Sequence, residues 1–412
     1  MAAQQGIKTY SPGRIALKHV FLLIPAVVIM AVTLNTVSCG NSGLLTPVNS
    51  DSNTPTATPT TGTGALAFVT NFKDGMVSSF TRNITTGVLK LRSQVTAGAK
   101  SGPKGVVAAP SGSFLYVANN ADNKIYQFSI NPTNGTLTPL SPASVNNGSG
   151  SAPDEIAINP LGTFLWVTGA GNGNAGNGTV TTYAINSSTG QLTNNGSVKG
   201  FRSPFGIAVD STSSYVYVAD HVAGLVYWYS IGTGGALSIV GSPIPDLGVS
   251  AGNPGFIAID PSGTFIYVTD LTAGVLSVIQ TTASQLTFVS TVPGASANGP
   301  IGIGYATLSS GNFIYTANQS ASSMWSFQLT APGTPSLPVP FGAGNLSAPT
   351  GLVVDPQNAF LYTTNQNAGT VSQFSLNPTC SGAAGPPCFV GNVATENPAK
   401  TNSGPFGITL AQ

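Results

Sequence analysis

The chain has 412 residues and a formal net charge of +1, and charged residues make up only 6% of the sequence. A typical soluble domain contains about 25% charged residues, so the polar surface here must consist mostly of uncharged groups. Nucleic acid is bound through clusters of cations that neutralise phosphates, and no run of Lys or Arg follows residue 18. The composition therefore excludes a nucleic-acid partner.

Residues 1–38 are typical of an export signal. Three cations precede an apolar run of 15 residues at 20–34, and this run is shorter than the roughly 20 residues of a membrane-spanning helix. The following LNTVSCG resembles the lipobox of bacterial lipoproteins, in which the cysteine becomes the lipidated N-terminus. We therefore expect a signal peptide at 1–38, lipidation at Cys39, and an exported protein anchored to a membrane of the cell envelope, on its periplasmic or outer surface. An uncleaved anchor and ordinary secretion stay open as alternatives.

Residues 39–63 are rich in Ser, Thr, Pro and Asn and show no apolar periodicity, which predicts a flexible tether. Near the other end of the chain, Cys380 and Cys388 lie close together in CSGAAGPPC. Oxidising conditions outside the cytoplasm favour a disulfide between them. Two cysteines without neighbouring His or Cys do not complete a zinc site, so we expect no metal and no cofactor.

Residues 64–412 consist of seven related segments. An aromatic anchor recurs every 47 to 51 residues, at Phe68, Tyr116, Trp166, Tyr217, Tyr267, Tyr315 and Tyr362. A Pro-x-Gly or related segment begins 13 to 15 residues before each of the last six anchors. Each unit contains four short apolar or alternating runs separated by turn signals, which predicts four β-strands. Periods of this length with four strands each are typical of propeller blades.

The two ends of this region predict how the ring closes. The C-terminal GPFGITLAQ contains an inner strand with nothing after it, whereas the segment around Phe68 lacks an inner strand. We expect the C-terminus to supply the innermost strand of one blade and residues 65–95 its outer three strands, because closure removes open sheet edges. The prediction is an all-β fold, a seven-bladed β-propeller with four-stranded blades that is closed by its C-terminal strand.

Strings such as NPGFIAIDPSGTFIYVTD and tails such as SINPTNGTLTPL point to a known family. They resemble the seven-bladed lactonase-like propellers, which include bacterial 6-phosphogluconolactonase, and the related YVTN-repeat surface propellers. The resemblance covers residues 64–412. It implies a seven-bladed propeller, a lactonase-type hydrolase, and a cluster of His, Arg and Glu at the mouth of the channel.

Residues that recur in many copies are poor candidates for chemistry, because one site needs only one copy. Asp210, Asp260, Asp355 and Asn159 begin turns, which Asp and Asn favour. Asp220 and Asp270 alternate with Asn in the other copies, so we expect them to cap loops. The tyrosine of the repeat should pack inside the blades.

Positions where the copies disagree are the better candidates. Three consecutive blades carry charges beside the Pro-x-Gly position, with Lys104 in the first, Asp154 and Glu155 in the second and Arg202 in the third. We expect a polar ligand site of Lys104, Asp154 and Arg202, in which the two cations bind an anionic group and Glu155 acts as general base. The alternative is a solvated rim with ion pairs between blades. His221, the only histidine outside the signal segment, is a second catalytic candidate, with ligand contact or a plain loop position as alternatives.

Two functions follow from these observations. The scarcity of catalytic residue types, with only three arginines after residue 63, favours a binding or interaction module that uses its channel-mouth face. Its partners would be the membrane, through the lipid anchor, and a small anionic or sugar-derived ligand or a protein. The alternative is a lactone hydrolase that uses the same face. Glu155 or His221 would then activate water, and a cation would stabilise the oxyanion.

Overall fold

A computed structural model of the protein describes residues 65–98, 102–171, 176–248, 252–282, 284–294, 299–377, 387–395 and 404–411. The predicted signal peptide and tether lie outside these residues, as do Cys39 and Cys380. Lipidation and the disulfide between Cys380 and Cys388 therefore stay predictions.

The described chain forms seven antiparallel sheets, numbered here as blades 1 to 7. Blade 1 contains β1 (Leu66–Asn71), β2 (Met76–Arg82) and β3 (Leu89–Thr96), and blade 2 contains β4 (Pro103–Ala108), β5 (Phe114–Asn119), β6 (Lys124–Ile130) and β7 (Leu137–Asn146). Blade 3 contains β8 (Pro153–Ile158), β9 (Phe164–Gly169), β10 (Gly178–Ile185) and β11 (Leu192–Phe201), and blade 4 contains β12 (Pro204–Val209), β13 (Tyr215–Asp220), β14 (Leu225–Ile231), β15 (Leu237–Ile239) and β16 (Ile244–Pro245).

Blade 5 contains β17 (Pro254–Ile259), β18 (Phe265–Asp270), β19 (Val275–Thr281) and β20 (Leu286–Pro293). Blade 6 contains β21 (Pro300–Leu308), β22 (Gly311–Asn318), β23 (Ser323–Ala331), β24 (Thr334–Pro335) and β25 (Val339–Phe341). Blade 7 contains β26 (Pro349–Val354), β27 (Phe360–Asn365), β28 (Thr370–Ser375) and β29 (Cys388–Ala394), and the last strand, β30 (Pro405–Ala411), returns to blade 1.

The predicted seven-bladed propeller and its closure are confirmed. β30 pairs antiparallel with β1, so the strand order of blade 1 is β3-β2-β1-β30. In blades 4 and 6 the outermost strand is split into two short pieces, β15 with β16 and β24 with β25. The described ranges contain one 3₁₀ turn at Thr233–Gly235 and no helix long and apolar enough to cross a membrane.

The repeated aromatic residue joins each blade to the next, as its predicted packing role requires. All seven anchors are at most 1% exposed. The Tyr116 hydroxyl donates a hydrogen bond to the carbonyl oxygen of Gly190 in blade 3 at 2.8 Å, and Trp166 Nε1 donates to that of Gly235 in blade 4 at 3.0 Å. A buried Tyr or Trp needs such a partner for its polar atom. The anchors therefore hold the ring together, and their repetition reflects seven equivalent seams.

The repeated Asp and Asn residues have the predicted turn and capping roles. Asp210 Oδ1 accepts the backbone N–H of Tyr215 at 2.7 Å, across the turn that joins β12 to β13. Asp220 Oδ2 accepts the backbone N–H of Arg202 at 2.7 Å, and so ties the end of β13 to the segment that leads into β12. These carboxylates are occupied by backbone donors and are not free for chemistry.

One turn aspartate has a second partner that the sequence analysis missed. Asp355 accepts the N–H of Phe360 at 2.8 Å with Oδ1, as expected, but its Oδ2 lies 2.9 Å from Arg82 Nη1. Both side chains are only 1% exposed. Arg82 ends β2 in blade 1 and Asp355 follows β26 in blade 7. This buried ion pair therefore links blades 1 and 7, next to the strand that closes the ring.

Candidate functional site

Each inner strand begins with a β-bulge at its Pro-x-Gly segment. In blade 3, Pro153 pairs with Gly169 and Ile156 with Val167, so that Asp154 and Glu155 fall inside the bulge. A bulge leaves residues unpaired and re-aims their side chains. The two residues that the sequence singled out are therefore released from the sheet ladder, where an ordinary strand would alternate them between its two faces.

A threonine in the neighbouring strand positions this bulge. The backbone N–H of Glu155 donates to Thr168 Oγ1 at 3.0 Å, and this hydroxyl donates in turn to the carbonyl oxygen of Phe205 in blade 4 at 2.9 Å. Thr70 and Thr364 make the same bond to the next blade. This role was not predicted, although the sequence carries a signal for it: the repeat alternates between Thr and Ala at this position.

The last position of the Pro-x-Gly segment separates two blades from the other five. Five blades have glycine there, at Gly105, Gly206, Gly302, Gly351 and Gly407. A Cβ at Gly105 would lie only 2.6 Å from the carbonyl oxygen of Asp154, so the close approach of neighbouring blades requires glycine. Blades 3 and 5 carry Glu155 and Phe256 instead. Glu155 was a predicted site residue, whereas Phe256, which departs from the repeat at the same position, was not.

Both exceptions line a cavity of about 190 Å³ in the central channel. The inner strands of all seven blades contribute to it. Its apolar side chains are Val106, Ile156, Ile207, Phe256, Ile303, Leu352 and Ile408. Among the described residues that line it, Glu155 is the only titratable one. The cavity wall therefore combines apolar side chains, the backbone of Gly302, Gly351 and Gly407, and a single carboxyl group.

The environment of Glu155 favours its protonated form. Its Oε1 is buried and has no hydrogen-bond partner among the described residues. Burial raises the pKa of Glu155 to about 8, the charge of Asp154 raises it further, and the charge of Lys104 lowers it in part. Most of the carboxyl is therefore neutral at pH 7, and the ionised form that a general base requires becomes dominant only above about pH 8.

Lys104 and Asp154 form an ion pair between blades 2 and 3. Asp154 is 3% exposed. Burial raises its pKa, whereas the charge of Lys104 and then that of His221 lower it. The Lys104 ammonium also lies 6.0 Å from the ring centre of Phe72 and 5.8 Å from that of Phe406. For Lys104 and Asp154, the structure shows the ion pair between blades that was the alternative to a ligand site. An anionic ligand of Lys104 would have to displace the Asp154 carboxylate.

His221 and Arg202 occupy different surroundings. The His221 ring lies 6.1 Å from that of Phe205, and its Nδ1 is buried without a hydrogen-bond partner in the described part of the chain. Its effect on the pKa of Asp154 places it within electrostatic reach of the ion pair. Arg202 is exposed. The structure thus brings Lys104, Asp154 and Glu155 together, whereas the His221 ring lies beside Phe205 and Arg202 takes no part in their described interactions.

The raised pKa of Glu155 predicts that stability depends on pH. The carboxyl ionises near 4.5 when unfolded and near 8 when folded. Between pH 4.5 and about pH 8, folding therefore takes up a proton at Glu155. In this range the free energy of unfolding falls as pH rises, by up to about 1.4 kcal/mol per pH unit. Glu155→Gln removes this contribution. In urea unfolding, the stability of E155Q relative to wild type should rise between about pH 5 and pH 8 and then level off.

The matched control removes a carboxylate from an exposed turn. Asp74 lies exposed between β1 and β2, so Asp74→Asn should keep the wild-type dependence of stability on pH. Parallel curves for wild type and E155Q would show that Glu155 titrates in the folded protein as it does in the unfolded chain.

A closed ring of seven antiparallel blades defines a seven-bladed β-propeller. The family model described as "Lactonase, 7-bladed beta-propeller" matches residues 63–196, 150–300 and 285–383. The chain therefore belongs to the lactonase family of seven-bladed β-propellers. A comparison with curated proteins finds no match to the sequence.

Solved structures with the same architecture are distant in sequence. A candidate 6-phosphogluconolactonase from Bacteroides fragilis is 16% identical, with a TM-score of 0.69 over 86% of this chain and 99% of its own. A periplasmic gluconolactonase from Pseudomonas aeruginosa is 16% identical, with a TM-score of 0.65 over 84% and 99%. A streptogramin B lyase is 14% identical, with a TM-score of 0.52 over 74% and 86%. At these identities the likeness shows the fold alone, and a lyase among the three illustrates that the fold hosts different chemistries.

Proposed function

We propose that the protein hydrolyses a lactone at the channel cavity, with Glu155 as the group that exchanges a proton with water. The observation that carries this proposal is a buried carboxyl in the wall of the channel cavity, with an oxygen that has no hydrogen-bond partner among the described residues and a pKa raised to about 8. Carboxyl groups that lie in clefts and have strongly shifted pKa values are typical of catalytic sites. Membership of the lactonase family supports the same reaction class.

The ring would open by a water attack that Glu155 assists. In its ionised form Glu155 accepts a proton from water while the water oxygen bonds to the lactone carbonyl carbon. The ring C–O bond then breaks, and the protonated Glu155 returns the proton to the departing ring oxygen. One water and one lactone give one hydroxy acid. A base with a pKa close to the working pH suits both halves of this cycle.

The Lys104–Asp154 pair would act on the charge of the intermediate. The attack places a negative charge on the former carbonyl oxygen, and Lys104 would stabilise this charge by giving up part of its contact with Asp154. Asp154 holds the Lys104 ammonium beside Glu155. His221 would tune this pair through its effect on Asp154. These roles belong to the proposal and depend on the reaction it names.

Glu155→Gln should abolish most of the activity. The change keeps the size of the side chain but removes the proton exchange, which contributes about 100-fold to 10,000-fold in enzymes of known mechanism. We expect kcat/KM for a hydrolysed lactone to fall at least about 100-fold, as measured by acid release. The wild-type value should rise with pH up to about 8, as Glu155 ionises. Asp74→Asn is the control and should retain full activity.

A binding or interaction module was the first interpretation of the sequence, and no particular contact in the described structure favours it over hydrolysis. The lactone assay separates the two functions. Turnover that does not depend on Glu155 would contradict the proposed mechanism, and no turnover across a broad panel of lactones would leave the binding module as the better explanation.

We also propose that the propeller works outside the cytoplasm, anchored through a lipid on Cys39. The proposal rests on the charged, apolar and lipobox-like parts of residues 1–39. A mass measurement of the mature protein tests it, since a chain that begins at Cys39 should carry the added mass of the lipid. An unmodified Cys39 would contradict the anchor.

A further inference from the structure

Two buried carboxyl groups meet at the seam between blades 4 and 5. Asp246 directly follows β16 of blade 4, and Asp270 ends β18 of blade 5. Both residues are 0% exposed. A Cβ on Gly252 would clash with Asp270 Oδ2 and would lie 2.9 Å from Asp246 Oδ2. The two oxygens therefore face the same small space.

Other blades have neutral groups at this place. The N–H of Asp246 donates to the carbonyl oxygen of Gly224 at 3.2 Å, in the loop before the third strand of its blade. The residues that make the corresponding bond in four other blades are Ala97, Asn147, Gly294 and Thr395. Between blades 1 and 2, the Asn119 side chain donates to the carbonyl oxygen of Ala97 at 2.5 Å. Asp270 takes the place of Asn119 in the repeat, but an ionised carboxylate has no hydrogen to donate.

The hydrogen bonds around the pair indicate which carboxyl carries a proton. Asp270 Oδ2 accepts the N–H of Asn253 at 2.6 Å, and its Oδ1 accepts two further backbone N–H groups at 2.9 and 2.5 Å. Three such bonds favour the ionised form. Asp246 Oδ1 accepts the N–H of Gly252 at 2.8 Å, whereas Oδ2 has no donor among the described residues. The proton therefore belongs on Asp246 Oδ2, from which it is donated to Asp270.

No lysine or arginine is at hand to replace this proton. The sequence contains neither residue type between Arg202 and Lys400, so blades 4 to 6 have no such cation. The strands and loops around the pair carry five other titratable side chains, Asp220, His221, Tyr227, Tyr229 and Tyr267. Of these only His221 can become a cation, and its ring lies beside Phe205. Two buried negative charges without a cation are strongly unfavourable, so the pair requires a shared proton.

The pKa of Asp246 is shifted accordingly, from 3.8 to about 7. Burial makes the largest contribution to this rise, and the hydrogen bond with Asp270 and the charge of Asp270 add to it, against the N–H of Gly252. When the pair separates and meets water, the pKa of Asp246 returns toward 3.8. The closed pair is therefore most stable below about pH 4, weakens as pH rises toward 7, and weakens little further above 7.

The pair holds a segment at the mouth of the channel. Gly252 and Asn253, whose N–H groups bind the two carboxyls, lead directly into β17. Asn253 Nδ2 donates to the carbonyl oxygen of His221 at 2.9 Å. The inner strands begin on this side of the ring, which is also the side of Glu155. A change at the carboxyl pair therefore reaches the rim of the channel.

We propose that Asp246 and Asp270 form a pH-sensitive latch. Their shared proton holds Gly252 and Asn253 against the seam between blades 4 and 5, and loss of this proton loosens these residues and the His221 loop that Asn253 binds. A switch of this kind requires a local change of charge and an element with two states. The latch does not depend on the proposed hydrolysis.

Hydrogen exchange measured by NMR tests the latch. Between pH 5 and pH 7, the protection factors of the Gly252 and Asn253 N–H groups should fall at least about tenfold, after correction for the intrinsic pH dependence of exchange. They should level off above about pH 7, because Asp246 is then ionised in both states. Protection factors that stay constant over this range would overturn the proposal.

Asp246→Asn should remove this fall. The amide keeps an oxygen for the N–H of Gly252 and donates permanently to Asp270, so both protection factors should stay high at every pH. Asp246→Ala lacks both groups and should give low protection throughout. Thermal unfolding checks that each variant is folded. A fall in D246N equal to that in the wild type would show that another group titrates, against the latch.

The Ser203 N–H is the matched control within the chain. It donates to Asp220 Oδ1 at 2.9 Å, at the corresponding place of blade 4, where Phe201 and no carboxyl precedes it. Its pH dependence should be the same in the wild type and in D246N. An equal difference at Ser203 would mean that the proton stabilises the whole ring and not this segment. Higher protection at pH 8 on addition of Ca²⁺, in the wild type only, would show that a cation joins the carboxyls, and either result would overturn the proposal.

Discussion

Deletion of residues 404–412 should unfold the whole propeller and not only one blade. The deletion removes β30, the innermost strand of blade 1, and with it the pairing to β1 and the hydrogen bond between Gly407 N–H and Thr70 Oγ1 at 2.8 Å. The loss of buried Phe406 and Ile408 together with the ladder amounts to about 5 kcal/mol or more. This is comparable with the whole stability of a typical domain. We expect the cooperative thermal transition to disappear.

A length-matched deletion in the predicted tether, residues 51–59, provides the control, because this segment lies outside the predicted propeller. It should leave the transition unchanged. Addition of a synthetic peptide of residues 404–412 to the truncated chain should restore part of the structure. A truncated protein that still melts in one transition at the wild-type temperature would show that the ring is stable without its closing strand.

Arg82→Met should destabilise the protein by about 3–5 kcal/mol, since it leaves the Asp355 carboxylate buried without its cation. The pair is 1% exposed on both sides and links blades 1 and 7 at 2.9 Å. Urea unfolding measures the change in the free energy of unfolding. Asp355→Asn keeps an oxygen that can accept the turn N–H groups but leaves Arg82 unpaired, so the two single variants and the double variant give the coupling energy of the pair.

Arg92→Met is the matched control for this experiment. Arg92 is exposed on β3 and donates from Nε to Thr81 Oγ1 at 2.8 Å. Its replacement should change stability by no more than about 0.5 kcal/mol. Similar effects of the two arginine substitutions would mean that burial does not strengthen the Arg82 contact.

The candidate site was predictable only in part. The disagreement between copies pointed to Lys104, Asp154 and Glu155, which the structure brings together, because a ring of equivalent blades makes an unusual residue visible. The same comparison could have identified Phe256, which also replaces the glycine. Arg82 could not be found in this way, since its partner Asp355 looks like any other turn aspartate of the repeat.

The sequence by itself determined the architecture of this protein. Alternating apolar runs, turn residues and a half-repeat at each end are local patterns, and their sevenfold recurrence predicts both the blades and the strand that closes them. Only the tertiary structure decided the environment of the charged residues around the channel cavity. The bulge that re-aims Asp154 and Glu155 arises from strand pairing within blade 3. The pairing of Lys104 with Asp154 joins two blades, and the burial that raises the pKa of Glu155 arises inside the assembled ring. Such contacts arise from distances in space, which the order of residues along one chain does not contain.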